Sequence, residues 1–288
     1  MLLTRDSRHW KVWVKGLGEK FSVQVVYLVP VLASLLFGLV CAYLLLSQPV
    51  SLVQVAPFSE NNASAPLGNA VYFVIIVALS ATVFYILLKR KSRRLITGLI
   101  ALALTAASLL LSLVYLSALF AYAPSLDFLV IPLSVLITVI FDLAIFRLGS
   151  KARNLVVVLL GGGLGVFFSA SIPFYSAVLI LVFLAVYDVF AVYYGPVGKI
   201  ADSGLDQLQG LSYSFKDVQM GLGDLVFYSM LVGTMLFNFG LVSYIVSLIG
   251  ILAGSFITFL LLEKRGMFPG LPFPIMLGLV GGFLVSLI

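Results

Sequence analysis

The sequence predicts an all-α polytopic membrane protein with nine transmembrane helices, its N-terminus in the cytoplasm and its C-terminus outside. Of the 288 residues, 62% are hydrophobic and only 10% are charged, whereas about a quarter of the residues of a soluble domain carry charge. Apolar runs of about the 20 residues that a bilayer requires recur along the whole chain. Basic residues fall only between alternate runs, as expected for cytoplasmic loops. We therefore expect a single membrane domain over residues 1–288.

The apolar runs define the expected helices in chain order. They cover residues 23–47, 70–88, 95–120, 128–146, 155–172, 174–194, 221–238, 241–262 and 267–288. The 22 residues before the first run are too charged for a cleaved signal peptide, so the first run is expected to be a retained helix. Four glycines in the fifth run, within LLGGGLG at 159–165, predict close helix packing. The polar stretch 196–220 is expected to be a cytoplasmic loop.

The distribution of Lys and Arg predicts the orientation. All 17 lie in the N-terminal segment or in the loops after the second, fourth, sixth and eighth runs. Because cytoplasmic loops are enriched in Lys and Arg, these segments are expected on the cytoplasmic side. The net charge of +6 is then explained by topology, and no nucleic-acid partner is expected. We expect a multi-pass integral protein, in the cell membrane if the source is prokaryotic.

Two residue counts exclude several classes of chemistry. The chain has one cysteine, Cys41, and one histidine, His9, which lies outside every apolar run. An intrachain disulfide, a cysteine metal cluster, a zinc site with two helical histidines and an intramembrane serine–histidine dyad are therefore excluded. Any catalysis within the bilayer must use carboxylates, hydroxyls or backbone groups. No metal and no cofactor are expected.

Three carboxylates lie within apolar runs, where each costs about 2.5–3.5 kcal/mol. Asp142 precedes Arg147 by five residues and is interpreted as an interfacial carboxylate near a base, although its role stays open. Asp188 lies seven residues before Gly195, where its helix is expected to end, and Asp224 lies seven residues after Asp217 in the polar loop. Each is therefore about 10 Å from its reference point, so the two antiparallel helices are expected to place both carboxylates at similar depth. They form either a carboxylate dyad or two independent polar groups that face the bundle interior.

A dyad would have a definite chemical use. Two close carboxylates share one proton, so one can take a proton from water while the other donates to an amide carbonyl oxygen. Gly221 and Gly223 would let backbone approach Asp224 closely. The stretch MFPGLPFPI at 267–275 contains three prolines, which break regular backbone pairing. Such backbone could pair with an extended substrate, or it could simply begin a kinked helix.

Three short motifs carry a resemblance to a known family. They are Tyr187-Asp188 in AVYDVFAV, GLGD at 221–224 in GLGDLVFYS, and PGLP at 269–272. Their order and helix placement resemble the YD, GxGD and PAL motifs of the presenilin family of intramembrane aspartyl proteases. The resemblance implies that Asp188 and Asp224 are catalytic. It also implies that the following residues shape the site or bind substrate: Tyr187, Gly221, Leu222, Gly223, Pro269, Gly270, Leu271 and Pro272.

The resemblance implies an intramembrane aspartyl endopeptidase that cleaves transmembrane helical segments of membrane proteins in the lipid bilayer. Residues 1–173 would be a scaffold of five helices, and 174–288 the catalytic part. The charge distribution favours the presenilin orientation over the inverted orientation of the signal peptide peptidases. By the same resemblance, substrates are expected to have their N-terminus outside. The compact chain resembles microbial or archaeal homologues, which implies that accessory subunits are not required.

Two departures from the family pattern bear on activity. The third motif reads PGL rather than PAL; loss of one methyl group should be tolerated sterically but could loosen the strand. The loop between helices six and seven has only about 25 residues, so self-cleavage there is not expected. The alternatives are a proton or cation channel or carrier that uses Asp142, Asp188 and Asp224, and a non-catalytic scaffold.

Overall fold

The computed structural model describes residues 2–4, 23–47, 54–59, 62–90, 92–194, 212–215, 218–265 and 267–287. These residues form an all-α membrane fold with a small β-sheet. The α-helices are α1 (Val29–Ser47), α2 (Ala65–Lys89), α3 (Arg93–Phe120), α4 (Val130–Phe146), α5 (Ser150–Ser171), α6 (Phe174–Tyr193), α7 (Leu222–Arg265) and α8 (Pro272–Ser286). Single 3₁₀ turns, Val25–Leu28 and Pro124–Leu129, precede α1 and α4.

The expectation of nine transmembrane helices is wrong. The described residues contain eight α-helices, and seven of their helical segments are long and apolar enough to cross a membrane. The predicted helices seven and eight form one 44-residue element, α7. The predicted ninth span is a 15-residue helix, α8, because its first residues form a strand and a loop. The C-terminus was expected outside because an odd number of crossings places the two termini on opposite sides of the membrane. Without nine crossings, that reason no longer holds.

Helix α7 folds back on itself at Gly240. The backbone there is non-helical, with φ 84° and ψ −173°, a region that essentially only glycine enters. A side chain at Gly278 of α8 would meet both Leu231 and Ile251, and one at Gly282 would meet both Met235 and Ser247. Each pair lies symmetrically about the bend, so the two arms of α7 run antiparallel and pack together on α8.

Glycines of α5 bring α7 close to the scaffold helices. A Cβ on Gly161 would lie 2.6 Å from Leu225 Cβ, and one on Gly165 would lie 2.6 Å from the backbone nitrogen of Met230. A Cβ on Gly162 would lie 2.5 Å from the carbonyl oxygen of Ser34 in α1. Because no side chain separates these backbones, the first arm of α7 is held against α5 at a fixed depth, as the glycine run predicted.

A four-stranded antiparallel sheet joins distant parts of the chain. Its strands are β1 (Leu2–Thr4), β2 (Ser212–Phe215), β3 (Val218–Gly221) and β4 (Met267–Phe268), in the order β2-β3-β1-β4. Part of the stretch expected to be a loop, 196–220, is therefore a β-hairpin. Residues 195–211, the basic N-terminal segment 5–20 and His9 lie outside the described residues.

Candidate active site

Asp188 lies on α6, five residues before the helix ends at Tyr193. Its side chain is half-buried, and its Oδ2 accepts a hydrogen bond of 3.0 Å from the backbone N–H of Leu271. Tyr187, directly before it, is also half-buried. The contact with Leu271 crosses 83 residues of sequence, so the end of α6 is tied to the loop that precedes α8.

Asp224 is the third residue of α7 and is only 4% exposed. Strand β3 ends at Gly221, and the buried Leu222 begins the helix. This turn from strand to helix places the carboxylate in the first helical turn.

The loop Pro269–Leu271 contacts both carboxylates. A Cβ built on Gly270 would lie 2.8 Å from Asp224 Oδ2 and 2.9 Å from Asp224 Oδ1, so the carboxyl group lies directly against the Gly270 backbone. The next residue, Leu271, donates its N–H to Asp188. Consecutive Cα atoms are only about 3.8 Å apart, so the two carboxylates meet the same short stretch of backbone. They also lie close enough to interact electrostatically.

Tyr228 is a site residue that the sequence analysis did not single out. It lies one helical turn after Asp224, is fully buried, and donates its hydroxyl hydrogen to the carbonyl oxygen of Gly270 at 2.7 Å. The sequence does contain a hint of this contact, because a tyrosine buried in an apolar helix needs a hydrogen-bond partner for its hydroxyl. Its effect is to hold the Pro269–Leu271 loop against α7.

The other predicted residues surround this contact. Pro269, Gly270 and Leu271 are buried, and Pro272 is the first residue of α8, where the missing N–H of proline has no cost. The rings of Phe268 and Phe273 stack at 6.0 Å across the loop. A Cβ on Gly223 would meet only Phe227, at 3.8 Å. The close approach to Asp224 is thus made by Gly270, and there is open room beside Gly223.

Asp142 belongs to a different contact. Thr105 of α3 donates a hydrogen bond of 2.8 Å to Asp142 Oδ2 on α4. The sequence suggested a nearby base as its partner, but within the described part of the chain this hydrogen bond comes from a hydroxyl. The carboxylate therefore links α3 to α4, away from the loop that joins Asp188 and Asp224.

Comparison with known proteins identifies the family. The family model described as signal-peptide peptidase, presenilin aspartyl protease matches residues 32–197, more than half of the chain, and the presenilin model matches residues 201–288. The first range contains Asp188; the second contains Asp224 and the loop Pro269–Leu271. No curated protein matches the sequence significantly.

Solved structures show the same fold. Two crystal forms of a presenilin family intramembrane aspartate protease, in space groups C222 and P2, superpose with TM-scores of 0.65 and 0.64. They are 19% and 21% identical to this chain, cover 92% and 93% of it, and are themselves covered over 100% and 99% of their lengths. The family matches and the geometry agree: the chain belongs to the signal-peptide peptidase and presenilin family of aspartyl proteases and is a multi-pass intramembrane peptide hydrolase.

Proposed function

We propose that Asp188 and Asp224 are the catalytic dyad of this protease and that it hydrolyses peptide bonds within transmembrane helical segments of membrane proteins. One observation carries the assignment: the carboxylates contact consecutive residues, Gly270 and Leu271, of one buried loop. Two independent polar groups facing the bundle interior would not be expected to contact adjacent residues of one loop.

The arrangement supports general acid–base hydrolysis. The ionised carboxylate takes a proton from water as the water oxygen attacks the amide carbon, and the protonated carboxyl gives its proton to the carbonyl oxygen. The C–N bond of the tetrahedral intermediate then breaks: the carboxyl that took the proton from water gives it to the leaving nitrogen, and the other, now ionised, carboxylate takes one hydroxyl proton of the intermediate, which restores the starting protonation state. The products are a carboxylic acid and an amine. The mixed protonation state is favoured because two adjacent carboxylates do not both ionise readily.

The surroundings of the dyad favour an extended substrate. A helical amide is enclosed by its own turn, so a segment must unwind before water can reach its carbonyl carbon. Irregular backbone at Pro269–Leu271 and the room beside Gly223 offer space and backbone partners for such a segment. We infer that substrates enter from the bilayer with their N-terminus outside, and that no accessory subunit is required.

The test compares the same change at three membrane carboxylates. Asp188→Asn and Asp224→Asn should each lower cleavage of a helical reporter in detergent by at least about a hundredfold, because each removes half of the acid–base pair. Asp142→Asn is the matched control and should keep activity, since its carboxylate serves the α3–α4 contact. A transition-state inhibitor of aspartyl proteases should block the unmodified protein.

Full cleavage by either Asn variant at the dyad would contradict the assignment. A carrier would behave differently, because these substitutions would then abolish proton or cation flux into liposomes while reporter cleavage continued.

A further inference from the structure

The N-terminal strand β1 lies between the two segments that hold the proposed dyad. On one side it pairs with β3, with Leu2 opposite Met220 and Thr4 opposite Val218. On the other side it pairs with β4, with Leu2 opposite Phe268. Met220 precedes Asp224 by four residues, and Phe268 directly precedes the loop Pro269–Leu271. Strand β1 therefore fills the gap between the backbone that leads to Asp224 and the backbone that leads to the loop.

This gap is suited to an extended chain. Strands β3 and β4 each present N–H and C=O groups toward the other, and a backbone group that is buried without a hydrogen-bond partner costs free energy. A segment drawn out of helix loses its internal hydrogen bonds and needs such partners, which strand addition supplies. With β1 in place, both facing edges are already paired, and no second chain can pair there.

The direction of β1 matches that of the proposed substrate. It runs antiparallel to β3, which leads into the first arm of α7. Its Leu2 end lies nearest the dyad, and its Thr4 end lies farther away. A substrate whose N-terminus is outside runs opposite to the first arm of α7, so it would also be antiparallel to β3. The segment just after its cleavage point would thus take the place and direction of β1.

Resting on the proposed function, we propose that strand Leu2–Thr4 is a built-in competitor of substrate, which must leave the sheet before an extended substrate can pair between β3 and β4. The space between β3 and β4 would then bind an extended peptide through its backbone. The strand is tethered to the rest of the chain, so it competes at a high effective concentration. Short strands form few hydrogen bonds, and the strand can therefore exchange with substrate.

The first experiment removes the strand. Deletion of residues 2–4 should lower the KM for the helical reporter by about three- to tenfold, the ratio that one net hydrogen bond produces, with kcat unchanged. Leu3→Pro should act in the same direction because proline removes a pairing N–H, while Leu3→Ala, the matched control, should leave KM unchanged. Thermal melting of each variant in detergent checks that the fold is retained.

The second experiment separates competition from catalysis. In an Asp224→Asn background, the Kd of a fluorescent reporter helix should fall by the same factor when residues 2–4 are deleted. A synthetic peptide of residues 1–8, MLLTRDSR, should compete with the reporter for the truncated protein, and the same peptide with proline at position 3 should not.

Equal Kd values with and without the strand would overturn the inference. Weaker binding after deletion would also overturn it, since β1 would then be a structural part of the substrate site. Failure of the proposed function looks different: the unmodified protein would neither cleave the reporter nor bind the transition-state inhibitor. Even if the protein did not cleave the reporter, the Kd values with and without residues 2–4 would still show whether the strand competes with it.

Discussion

At the scale of single residues, Gly270 sets the distance between the loop and Asp224. From the sequence alone, the glycine of PGL, which lacks the methyl group of alanine, is expected to be sterically tolerated, at the risk of a looser strand and lower activity. In the structure that methyl group would lie 2.8–2.9 Å from the atoms of the Asp224 carboxyl group, nearer than real Cβ contacts. The glycine therefore allows the loop and the carboxylate to lie in direct contact, and an alanine there requires one of them to move.

We expect Gly270→Ala to lower kcat/KM by between about ten- and a hundredfold, because misplacing a catalytic group by about 1 Å has effects of this size. The measurement is reporter cleavage, together with the affinity for a transition-state inhibitor. Gly98→Ala is the control, since a Cβ there meets nothing within 4 Å. Unchanged kcat/KM and inhibitor affinity in Gly270→Ala would show that the loop adapts without moving Asp224.

Tyr228 acts at the same scale through its hydroxyl group. Tyr228→Phe removes the hydrogen bond to the Gly270 carbonyl oxygen, and leaving a buried acceptor without this donor costs about 1–3 kcal/mol. We expect a lower melting temperature and a kcat reduced about tenfold, because the loop that orients both carboxylates is loosened.

Tyr244→Phe is the control that separates the effect of Tyr228→Phe on stability from its effect on kcat. Tyr244 is equally buried, but it donates to the Leu35 carbonyl oxygen of α1 at 2.6 Å and not to the Pro269–Leu271 loop. It should lose a similar amount of stability and keep its kcat. If both variants lose kcat equally, Tyr228 has no special role in positioning the dyad.

At the scale of elements, the bend in α7 decides how the helix that carries Asp224 packs. Its two arms both contact α8, and the first arm also contacts the glycine face of α5. This double support holds Asp224 at one depth. The bend depends on Gly240, whose backbone conformation is strained for any residue with a Cβ.

Gly240→Ala should therefore destabilise the protein by about 1–3 kcal/mol. Thermal unfolding in detergent measures this as a lower melting temperature. Gly98→Ala, an exposed helical glycine, is the comparison, and it should be neutral or slightly stabilising because alanine favours helix. Equal melting temperatures for the two variants would mean that the bend does not require glycine.

At the scale of the whole molecule, the proposed substrate is selected by its orientation in the membrane. The distribution of basic residues in the sequence predicts that the N-terminal segment and alternate loops lie on the cytoplasmic side, and this orientation stays a prediction. The sheet then adds a direction, because a strand between β3 and β4 runs antiparallel to both, as β1 does. A substrate must satisfy both conditions at once.

We expect reporters that contain the same apolar segment in opposite orientations to differ at least about tenfold in cleavage, with the outside N-terminus preferred. A backbone that enters in the wrong direction cannot form the antiparallel hydrogen-bond pattern. The assay uses proteoliposomes in which reporter orientation is established by protease protection. Equal cleavage of both orientations would exclude the sheet as the direction-determining element.

Much of the fold could be read from hydropathy. The first six apolar runs coincide with α1 to α6 to within six residues at each end, because a bilayer imposes one length on every crossing segment. The predicted number of transmembrane helices is wrong because of the last quarter of the chain. Residues 267–271 are as apolar as a helix but form a strand and a loop, and hydropathy does not distinguish these from a helix start.

The small sheet had no sequence signal. Strands of two to four residues are too short to show a period, and β1 pairs with partners more than 200 residues away. Tyr228 was overlooked for a related reason, since its partner, the Gly270 carbonyl oxygen, lies 42 residues further along the chain.

The sequence by itself determined the membrane class, the first six helices and the identity of the acidic residues available for chemistry, because composition and the cost of burying charge act locally along the chain. Whether Asp188 and Asp224 form a pair was open at that level. Only the tertiary structure brings both to one loop: glycine contacts hold the first arm of α7 against α5, and the consecutive residues Gly270 and Leu271 contact the two carboxylates. Such contacts depend on which backbones can approach each other in three dimensions, and no local pattern in the sequence encodes that.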